Sequence, residues 1–269
     1  MNEAMILHTL SASQSSEKVR WALDAAGLAY TEHRLTPFLH LPRSFLSSGS
    51  VGAQLPMLEA DGETLADSTR ILEWLAVHRA PFALIPREPE ARAAVMNAES
   101  RFDHLAQHVL RCVYAQLLRE PATVLRIWTV DASLTESLAL RAMFPALMRV
   151  FAGGLNLRPL AVARSRRMIE RGIAELDQAA RERRRYLVGS RLSVADITAA
   201  AMLAPLACPD EHPVYARADY RAVIAPLMKD CSGHRGLDWV RQLYRRHRTA
   251  ELGQTVPLRA AQRRRLSVA

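Results

Sequence analysis

The fold of the first part of this chain is decided by residues 52–75, which read GAQLPMLEADGETLADSTRILEWL. Two short apolar segments, PMLEA and ETLAD, flank the pair Asp61–Gly62, and this dipeptide readily supplies the positive φ angles of a tight hairpin turn. Asp67 and Ser68 then precede apolar residues at helical spacing, as capping residues do. The stretch therefore predicts two antiparallel strands followed by a capped amphipathic helix.

The residues before this stretch predict a β-α-β unit and a loop. Residues 4–9, AMILHT, suit a short buried strand, and residues 16–28 carry apolar side chains at helical spacing before the stop signal Gly27. Residues 29–34 alternate weakly, as a second strand would, and the segment after them is interrupted by proline, serine and glycine. The first 80 residues therefore read β-α-β-loop-β-β-α.

Beyond residue 81 the pattern becomes one of helices. The segment PFALIPREPE contains three prolines and is typical of an interdomain linker. Ser193 and Asp196 have the spacing of a capping box. The tail from residue 250 has little apolar periodicity, and we expect it to be loosely held. Breaks at Pro121 and Gly153–Gly154 help to delimit the predicted helices, which are 90–119, 134–152, 159–185, 194–207, 219–229 and 235–248.

Composition supports a folded chain in two parts. The 269 residues are 49% hydrophobic and 23% charged, which supplies enough apolar surface for real cores. The first 85 residues contain 6 Lys/Arg and 9 Asp/Glu, whereas the remainder contains 30 and 18, so the charge balance changes where the helices begin. We therefore expect an α/β domain at 1–80, a linker at 81–89, an all-α domain at 90–250 and a basic tail at 251–269.

Several protein classes are disfavoured. No segment approaches 18 uninterrupted apolar residues, and the first residues lack the features of a signal peptide, so we expect a cytoplasmic protein with no membrane partner. The three cysteines, Cys112, Cys208 and Cys231, form no C-x-x-C pair, which argues against disulfides and a cysteine metal site. Acidic residues interrupt the arginines of the helical part and argue against a continuous nucleic-acid surface.

Three segments together resemble the cytosolic glutathione transferase family. They read SASQSSEKVRWALDAAGL at 11–28, GAQLPMLEADGETLADSTRILEWL at 52–75 and YLVGSRLSVADITAA at 186–200. The resemblance spans roughly residues 5–250. It implies a thioredoxin-like N-terminal domain followed by an all-helical domain, and a homodimer. It also implies glutathione as co-substrate, a hydrophobic electrophilic small molecule as second substrate, and no metal.

The resemblance also implies which residues hold glutathione. Pro56 matches a cis proline, and Leu55 matches the residue whose main chain pairs with the cysteinyl part of the peptide. Gln54 matches a position whose side chain often contacts glutathione. Asp67 and Ser68 match the pair that holds the γ-glutamyl end, and a helix N-terminus is also a natural carboxylate site. On sequence alone, a helix cap is the ordinary explanation of this last pair, and one pair can serve as both cap and ligand site.

A cation is needed for the glycyl carboxylate of glutathione. His40 and Arg43 lie in the irregular segment after the second predicted strand, and either could supply it. His40 stands roughly where theta-like members of the family place a histidine. A solvated loop histidine remains the alternative.

Members of this family activate the thiol of glutathione with the hydroxyl of a Tyr or Ser, or with the thiol of a Cys, near the end of the first strand. Tyr30 and Cys112 are the first residues of their types and come too late in the chain. In the serine-type classes, theta and zeta, the functional serine lies six positions before a helix valine, which here is Val19. This spacing selects Ser13 from four serines, Ser11, Ser13, Ser15 and Ser16.

Two neighbours of Ser13 depart from the family pattern. Ser15 stands where proline or cysteine is usual, so we expect a loop less rigid than in typical members. With Ser13 as the functional serine, Ser15 and Ser16 are expected at the helix start as cap or N–H neighbours. Glu17 would oppose a nearby thiolate if it pointed inward, and we expect it to face solvent and favour the helix dipole. Two functions stay open at this point, a glutathione transferase with Ser13 as catalytic residue and a non-catalytic glutathione-binding module in which Ser13 is structural.

Overall fold

The computed structural model describes residues 5–39, 55–231, 234–248 and 254–255. His40, Arg43 and Gln54 lie outside these residues. An α/β part is followed by a helical part, which confirms the predicted fold class. The elements are β1 (Met5–Thr9), α1 (Gln14–Ala25), β2 (Tyr30–Arg34), β3 (Met57–Ala60), β4 (Glu63–Ala66), α2 (Ser68–His78), α3 (Pro89–Asp103), α4 (Ala106–Leu117), α5 (Pro121–Trp128), α6 (Leu134–Leu155), α7 (Pro159–Arg181), α8 (Val194–Ala207), α9 (Ala218–Asp230), α10 (Arg235–His247) and β5 (Gln254–Thr255).

The strands form one mixed sheet in the order β4-β3-β1-β2-β5. β1 runs parallel to β2 and antiparallel to β3, and β3 and β4 form the predicted hairpin. Asp61 and Gly62 at its turn have φ angles of 50° and 76°, the positive values that this dipeptide tolerates. Leu7 and Leu58 are fully buried. The sheet therefore contributes to a core that continues into the helices.

Helix α8 is the centre of the helical part. All its residues are buried, as expected for a helix that is apolar on every side. The predicted capping box fixes its start, because Asp196 Oδ2 accepts from Ser193 N at 2.9 Å. Asp196 Oδ1 also accepts from Leu187 N at 2.7 Å. The box therefore joins the helix to the chain before it.

Two predicted helix boundaries were wrong, and helix α5 was not predicted. The helix expected at 90–119 is broken at His104–Leu105, between α3 and α4. The chain breaks before Pro121 as predicted, but Pro121 also begins α5, where a proline at the first helical position loses no hydrogen bond. Helix α6 runs through Gly153–Gly154 and ends at Asn156, whose φ of 50° is left-handed.

Helix α6 carries apolar residues on both sides. Its inner side packs against the core through Phe144, Leu147 and Phe151. On the outer side Leu134 is 85% exposed and Leu138 is 67% exposed. Among the described residues it is the one helix long and apolar enough to cross a membrane, by length and composition only. Only Leu140 is buried along its length, so much of its apolar surface faces outward.

The end of the chain returns to the sheet. β5 pairs in parallel with β2, so that Thr31 lies opposite Gln254 and Glu32 opposite Thr255. The expectation of a loosely held tail is therefore wrong for Gln254–Thr255, because main-chain pairing with an open strand edge needs no apolar periodicity. The last described residues of the chain thus complete the first domain.

Candidate functional site

Strand register brings three predicted site segments to one edge of the sheet. His8, next to the end of β1, lies opposite Met57 at the start of β3, and Met57 lies opposite Ala66 at the end of β4. The residues that follow β1, precede β3 and follow β4 therefore emerge together. These residues include Ser13, Leu55–Pro56 and Asp67–Ser68.

Ser13 is the N-cap of α1. Its Oγ accepts a hydrogen bond from Ser16 N at 3.2 Å, and Ser16 Oγ in turn accepts from Leu10 N at 3.3 Å. Ser15 and Ser16 thus lie inside the first turn, and Ser13, not either of them, caps the helix. Capping uses one lone pair of the Ser13 hydroxyl and leaves its O–H able to donate. A half-buried donor beside a helix N-terminus is therefore present at the edge of the sheet.

The backbone before Ser13 is held by the helical domain. The buried Tyr215 donates its O–H to Ala12 O at 2.7 Å, and Gln14 Nε2 donates to Met202 O in α8. Burial raises the pKa of Tyr215 well above its ordinary value, so this phenol stays protonated and remains a donor. The position of Ser13 is thus fixed by contacts from both domains.

The second segment is Leu55–Pro56, directly before β3. Its peptide bond is cis, as the resemblance implies. Pro56 is buried and Leu55 is half-buried. The main chain of Leu55 therefore precedes the strand at the edge where Ser13 lies.

The third segment begins α2. Asp67 is its N-cap, and Asp67 Oδ1 accepts from Thr69 N at 2.9 Å and from Arg70 N at 3.1 Å. Asp67 has a φ of 77° and a ψ of 126°, a positive-φ conformation that residues other than glycine seldom adopt. Ser68, the first helical residue, is buried. A carboxylate, a hydroxyl and a helix N-terminus are thus combined at one point.

A buried lysine, not recognised in the sequence, connects these segments. Lys18 Nζ lies 3.0 Å from Thr69 Oγ1 and 2.8 Å from Asp103 Oδ1, and it also donates to Glu99. The Lys18 side chain is fully buried. It therefore ties α1 to the start of α2 and to α3. Its signal in the sequence was weak, because a lysine at a buried helix position looks like a surface residue.

Glu17 is buried, contrary to the expectation that it faces solvent. Its side chain is 2% exposed and lies between Arg20 and Arg248, with Oε2 2.5 Å from Arg20 NH1 and Oε1 2.8 Å from Arg248 Nε. Burial alone would raise the pKa of Glu17, but the two guanidinium groups outweigh it and hold the pKa at about 2. The Glu17 carboxylate is thus charged, and the adjacent guanidinium groups of Arg20 and Arg248 compensate its charge.

An aromatic cluster lies between the two domains. Phe38, which follows β2, has its ring centroid 4.8 Å from that of Trp128 in α5 and 6.0 Å from that of Phe151 in α6. Trp128 Nε1 donates to Tyr114 OH at 3.0 Å. Tyr114 and Trp128 are buried, and Phe38 and Phe151 are partly exposed. The cluster therefore joins the first domain to the helical domain.

Metal sites and reactive thiols place definite requirements on the described residues. Within the described residues, no group of three or more His, Cys, Asp and Glu could hold a metal ion. The three cysteines are free and buried. Burial raises the pKa of Cys112 and of Cys208 to about 11, so both stay protonated near neutral pH. Any nucleophilic sulfur at the sheet edge would have to come from a ligand.

Two family models match the chain. The N-terminal domain of glutathione S-transferase matches residues 7–81, and the C-terminal domain of glutathione S-transferase matches residues 159–227. Helices α3 to α6 lie between the two matched segments. No curated protein matches the chain.

Solved structures with the same fold include three bacterial proteins. A glutathione S-transferase of Methylobacillus flagellatus with glutathione bound is 20% identical, with a TM-score of 0.61, covering 94% of this chain and all of the other. A second, from Methylobacterium radiotolerans with glutathione sulfonate, is 20% identical, with a TM-score of 0.60 and coverage of 95% and 97%. The beta-etherase LigF of Sphingobium sp. is 18% identical, with a TM-score of 0.56 and coverage of 89% and 99%. At these identities the likeness concerns the fold.

Proposed function

Because both domain models match, the chain belongs to the glutathione S-transferase family of enzymes, and we propose that it activates the thiol of bound glutathione for attack on an apolar electrophile. The observation that carries this proposal is the meeting of Ser13, Leu55–Pro56 and Asp67–Ser68 at one edge of the sheet. The glutathione and glutathione sulfonate held by the two bacterial transferases of the same fold support it.

In this proposal glutathione lies along the sheet edge. The main chain of Leu55 pairs with the cysteinyl part of the peptide. The γ-glutamyl carboxylate sits at the N-terminus of α2, where free N–H groups and the Ser68 hydroxyl can donate to it. The carboxylate of Asp67 attracts the γ-glutamyl ammonium. The proposed cation for the glycyl carboxylate, His40, and the proposed peptide contact, Gln54, belong to the segment outside the described residues.

Ser13 is the proposed catalytic residue. Its O–H donates to the sulfur of glutathione, and a donor that bonds to the charged form of an acid lowers the pKa of that acid. The N–H groups of the first turn of α1 act in the same direction. Glu17, one turn further along, does not oppose the thiolate, since Arg20 and Arg248 compensate its charge. The Ser13 hydroxyl keeps its capping bond throughout, because accepting and donating use different parts of it.

The second substrate is proposed to lie against the aromatic cluster. Phe38 is partly exposed and its ring packs on the buried Trp128, an aromatic surface that suits a hydrophobic electrophile. Conjugation, peroxide reduction, isomerisation and ether cleavage all begin from the same thiolate. The fold shared with a beta-etherase makes ether cleavage one of the reactions to assay. We further propose that the enzyme is a cytoplasmic homodimer.

The decisive experiment compares Ser13→Ala with Ser15→Ala. Thiolate formation is followed by ultraviolet absorbance of bound glutathione as a function of pH, and turnover by conjugation of a chlorinated nitroaromatic. Ser13→Ala should raise the pKa of the bound thiol and lower kcat about 100-fold, within the range of a lost transition-state donor, while retention on immobilised glutathione persists. Ser15→Ala, in the same helical turn, should change kcat less than twofold.

Other outcomes would contradict the proposal. Equal activity of the wild type and Ser13→Ala would show that Ser13 takes no part in the reaction. Retention on glutathione without turnover of any electrophile, ether or peroxide would identify a non-catalytic glutathione-binding module. Failure to bind glutathione at all would overturn the placement of the peptide along the sheet edge.

A further inference from the structure

A second cavity, distinct from the sheet edge, lies where the end of α7 meets α10. It is a cleft of about 680 Å³, within the size range of small-molecule sites. Ala180 and Trp239 contribute apolar surface to its lining. The remainder is dominated by five arginines, Arg183, Arg184, Arg185, Arg235 and Arg246. No residue of this arginine cleft belongs to the proposed glutathione site.

The walls of the arginine cleft are held by close helix contacts. Gly236 N donates to Asp177 Oδ1 at 2.5 Å, and a Cβ at position 236 would lie 2.7 Å from Ile173 O, so that only glycine lets α10 approach α7 this closely. Trp239 Nε1 donates to Arg184 O at 3.3 Å. The backbone that carries the arginines is therefore fixed on both sides.

Positive charge in the cleft is poorly compensated. The one carboxylate of its lining, Asp238, is already paired with Arg241 at 2.6 Å, and Arg184 is paired with Glu182 at 2.7 Å. In the part of the chain that the structure describes, no ion pair involves the other four arginines, Arg183, Arg185, Arg235 and Arg246. Converging cations in a concave site concentrate anions there. The positive charge also acts on the neighbouring His247. The pKa of His247 is lowered by burial and, to a smaller extent, by the charges of Arg185 and Arg246.

The chemistry of the ligand follows from that of the arginines. A guanidinium group presents a planar fork of donors that matches the oxygens of a phosphate, and several such forks can hold more than one phosphate. The charge is gathered in a cleft, whereas acidic residues such as Glu170 and Glu175 lie among the arginines along the rest of α7. This distribution suits a compact ligand better than an extended nucleic acid. We propose that the arginine cleft binds a small molecule that carries two or more phosphate groups.

The test uses inorganic tripolyphosphate and the full-length protein without glutathione, so its result is independent of the proposed transferase activity. Binding is measured by isothermal titration calorimetry at fixed ionic strength. The double variant Arg183→Gln/Arg235→Gln removes two charges from the cleft. The control Arg167→Gln/Arg171→Gln removes two charges from exposed positions elsewhere on α7. We expect one tripolyphosphate per chain, at least tenfold weaker binding for the cleft variant, and unchanged binding for the control.

Two comparison ligands and one site probe sharpen the test. Orthophosphate should bind at least tenfold more weakly than tripolyphosphate, and a 20-base-pair DNA duplex should not compete for the same site. On saturation with tripolyphosphate the pKa of His247, followed by NMR, should rise, because the charges of Arg185 and Arg246 are then neutralised. Equal losses in the cleft and control variants would overturn the proposal. Tighter binding of DNA than of tripolyphosphate would also overturn it, in favour of a nucleic-acid surface.

Discussion

Arg248 and Glu17, 231 residues apart in the chain, form a buried ion pair in which Arg248 Nε lies 2.8 Å from Glu17 Oε1. The same guanidinium reaches Asp24, with NH1 2.7 Å from Oδ2. Both carboxylates belong to α1, the helix whose N-cap is Ser13. The residue that ends the helical domain thus holds the helix on which the proposed chemistry depends.

Replacing Arg248 by methionine should destabilise the whole protein. Breaking a buried pair leaves a charge without its partner, and we expect a loss of about 3 kcal/mol in the free energy of unfolding, the lower end of the usual range because Glu17 keeps Arg20. Urea unfolding checks this. Arg245→Gln, at an exposed position in the same helix, is the control and should change stability by less than about 0.5 kcal/mol. Equal midpoints for the two variants would contradict the pairing.

Stability should fall in acid through Glu17. The pKa of Glu17 is about 2 in the folded protein against 4.5 for an unperturbed glutamate, so the stabilisation is complete above pH 4.5 and is lost as the pH falls towards 2. Glu17→Gln should therefore be less stable than the wild type at pH 7, and the difference should shrink below pH 4.5. Unfolding free energies measured from pH 7 to pH 2.5 test this. The exposed Glu170→Gln should keep the wild-type pH dependence, and a constant difference for Glu17→Gln would refute the assignment.

Ser13→Gly separates the two tasks of the Ser13 hydroxyl. Glycine caps a helix almost as well as serine, whereas alanine costs about 1 kcal/mol. Both substitutions remove the donor to the sulfur. We therefore expect Ser13→Gly and Ser13→Ala to lose thiolate formation equally, and only Ser13→Ala to lose measurable stability in urea. An active Ser13→Gly variant would show that the hydroxyl serves the helix alone.

Asp67→Asn should weaken glutathione binding without unfolding α2. Asparagine caps a helix as well as aspartate, but it lacks the negative charge proposed to face the γ-glutamyl ammonium. We expect the Kd for glutathione, measured by calorimetry, to rise about tenfold, or about 1.4 kcal/mol. A glutathione analogue without this amino group should bind the variant and the wild type equally. If the analogue also loses affinity for Asp67→Asn, the charge pairing is wrong.

Features encoded by neighbouring residues were predictable from the sequence. The turn at Asp61–Gly62 and the box of Ser193 and Asp196 depend on contacts within four residues, so their patterns were sufficient. The order of elements in the first 80 residues followed in the same way from alternating strand and helix patterns. Pro121 shows the limit of local reading, because the same residue can interrupt a helix or begin one. Here it does both, because α4 ends at Leu117 and α5 begins at Pro121.

The candidate site likewise contains residues that the sequence indicated and residues that only the structure revealed. The resemblance to the family singled out Ser13, Pro56 and Asp67, and the hairpin and strand register bring their segments together. The burial of Glu17 and Lys18 could not be read from the sequence. Their partners Arg248, Glu99 and Asp103 lie in distant helices, and a charged residue in the first turns of a helix is more often exposed.

Because β5 pairs with β2, the sheet of the first domain cannot be completed until β5 has been synthesised. At the usual pace of translation, Arg248 and β5 leave the ribosome roughly 10–50 s after α1. Until then Glu17 has only Arg20, and the β2 edge lies open to pairing with other chains. The N-terminal domain of a nascent chain, which is synthesised first, is therefore the part most prone to aggregation. A product truncated before Arg248 would keep the β2 edge unpaired permanently.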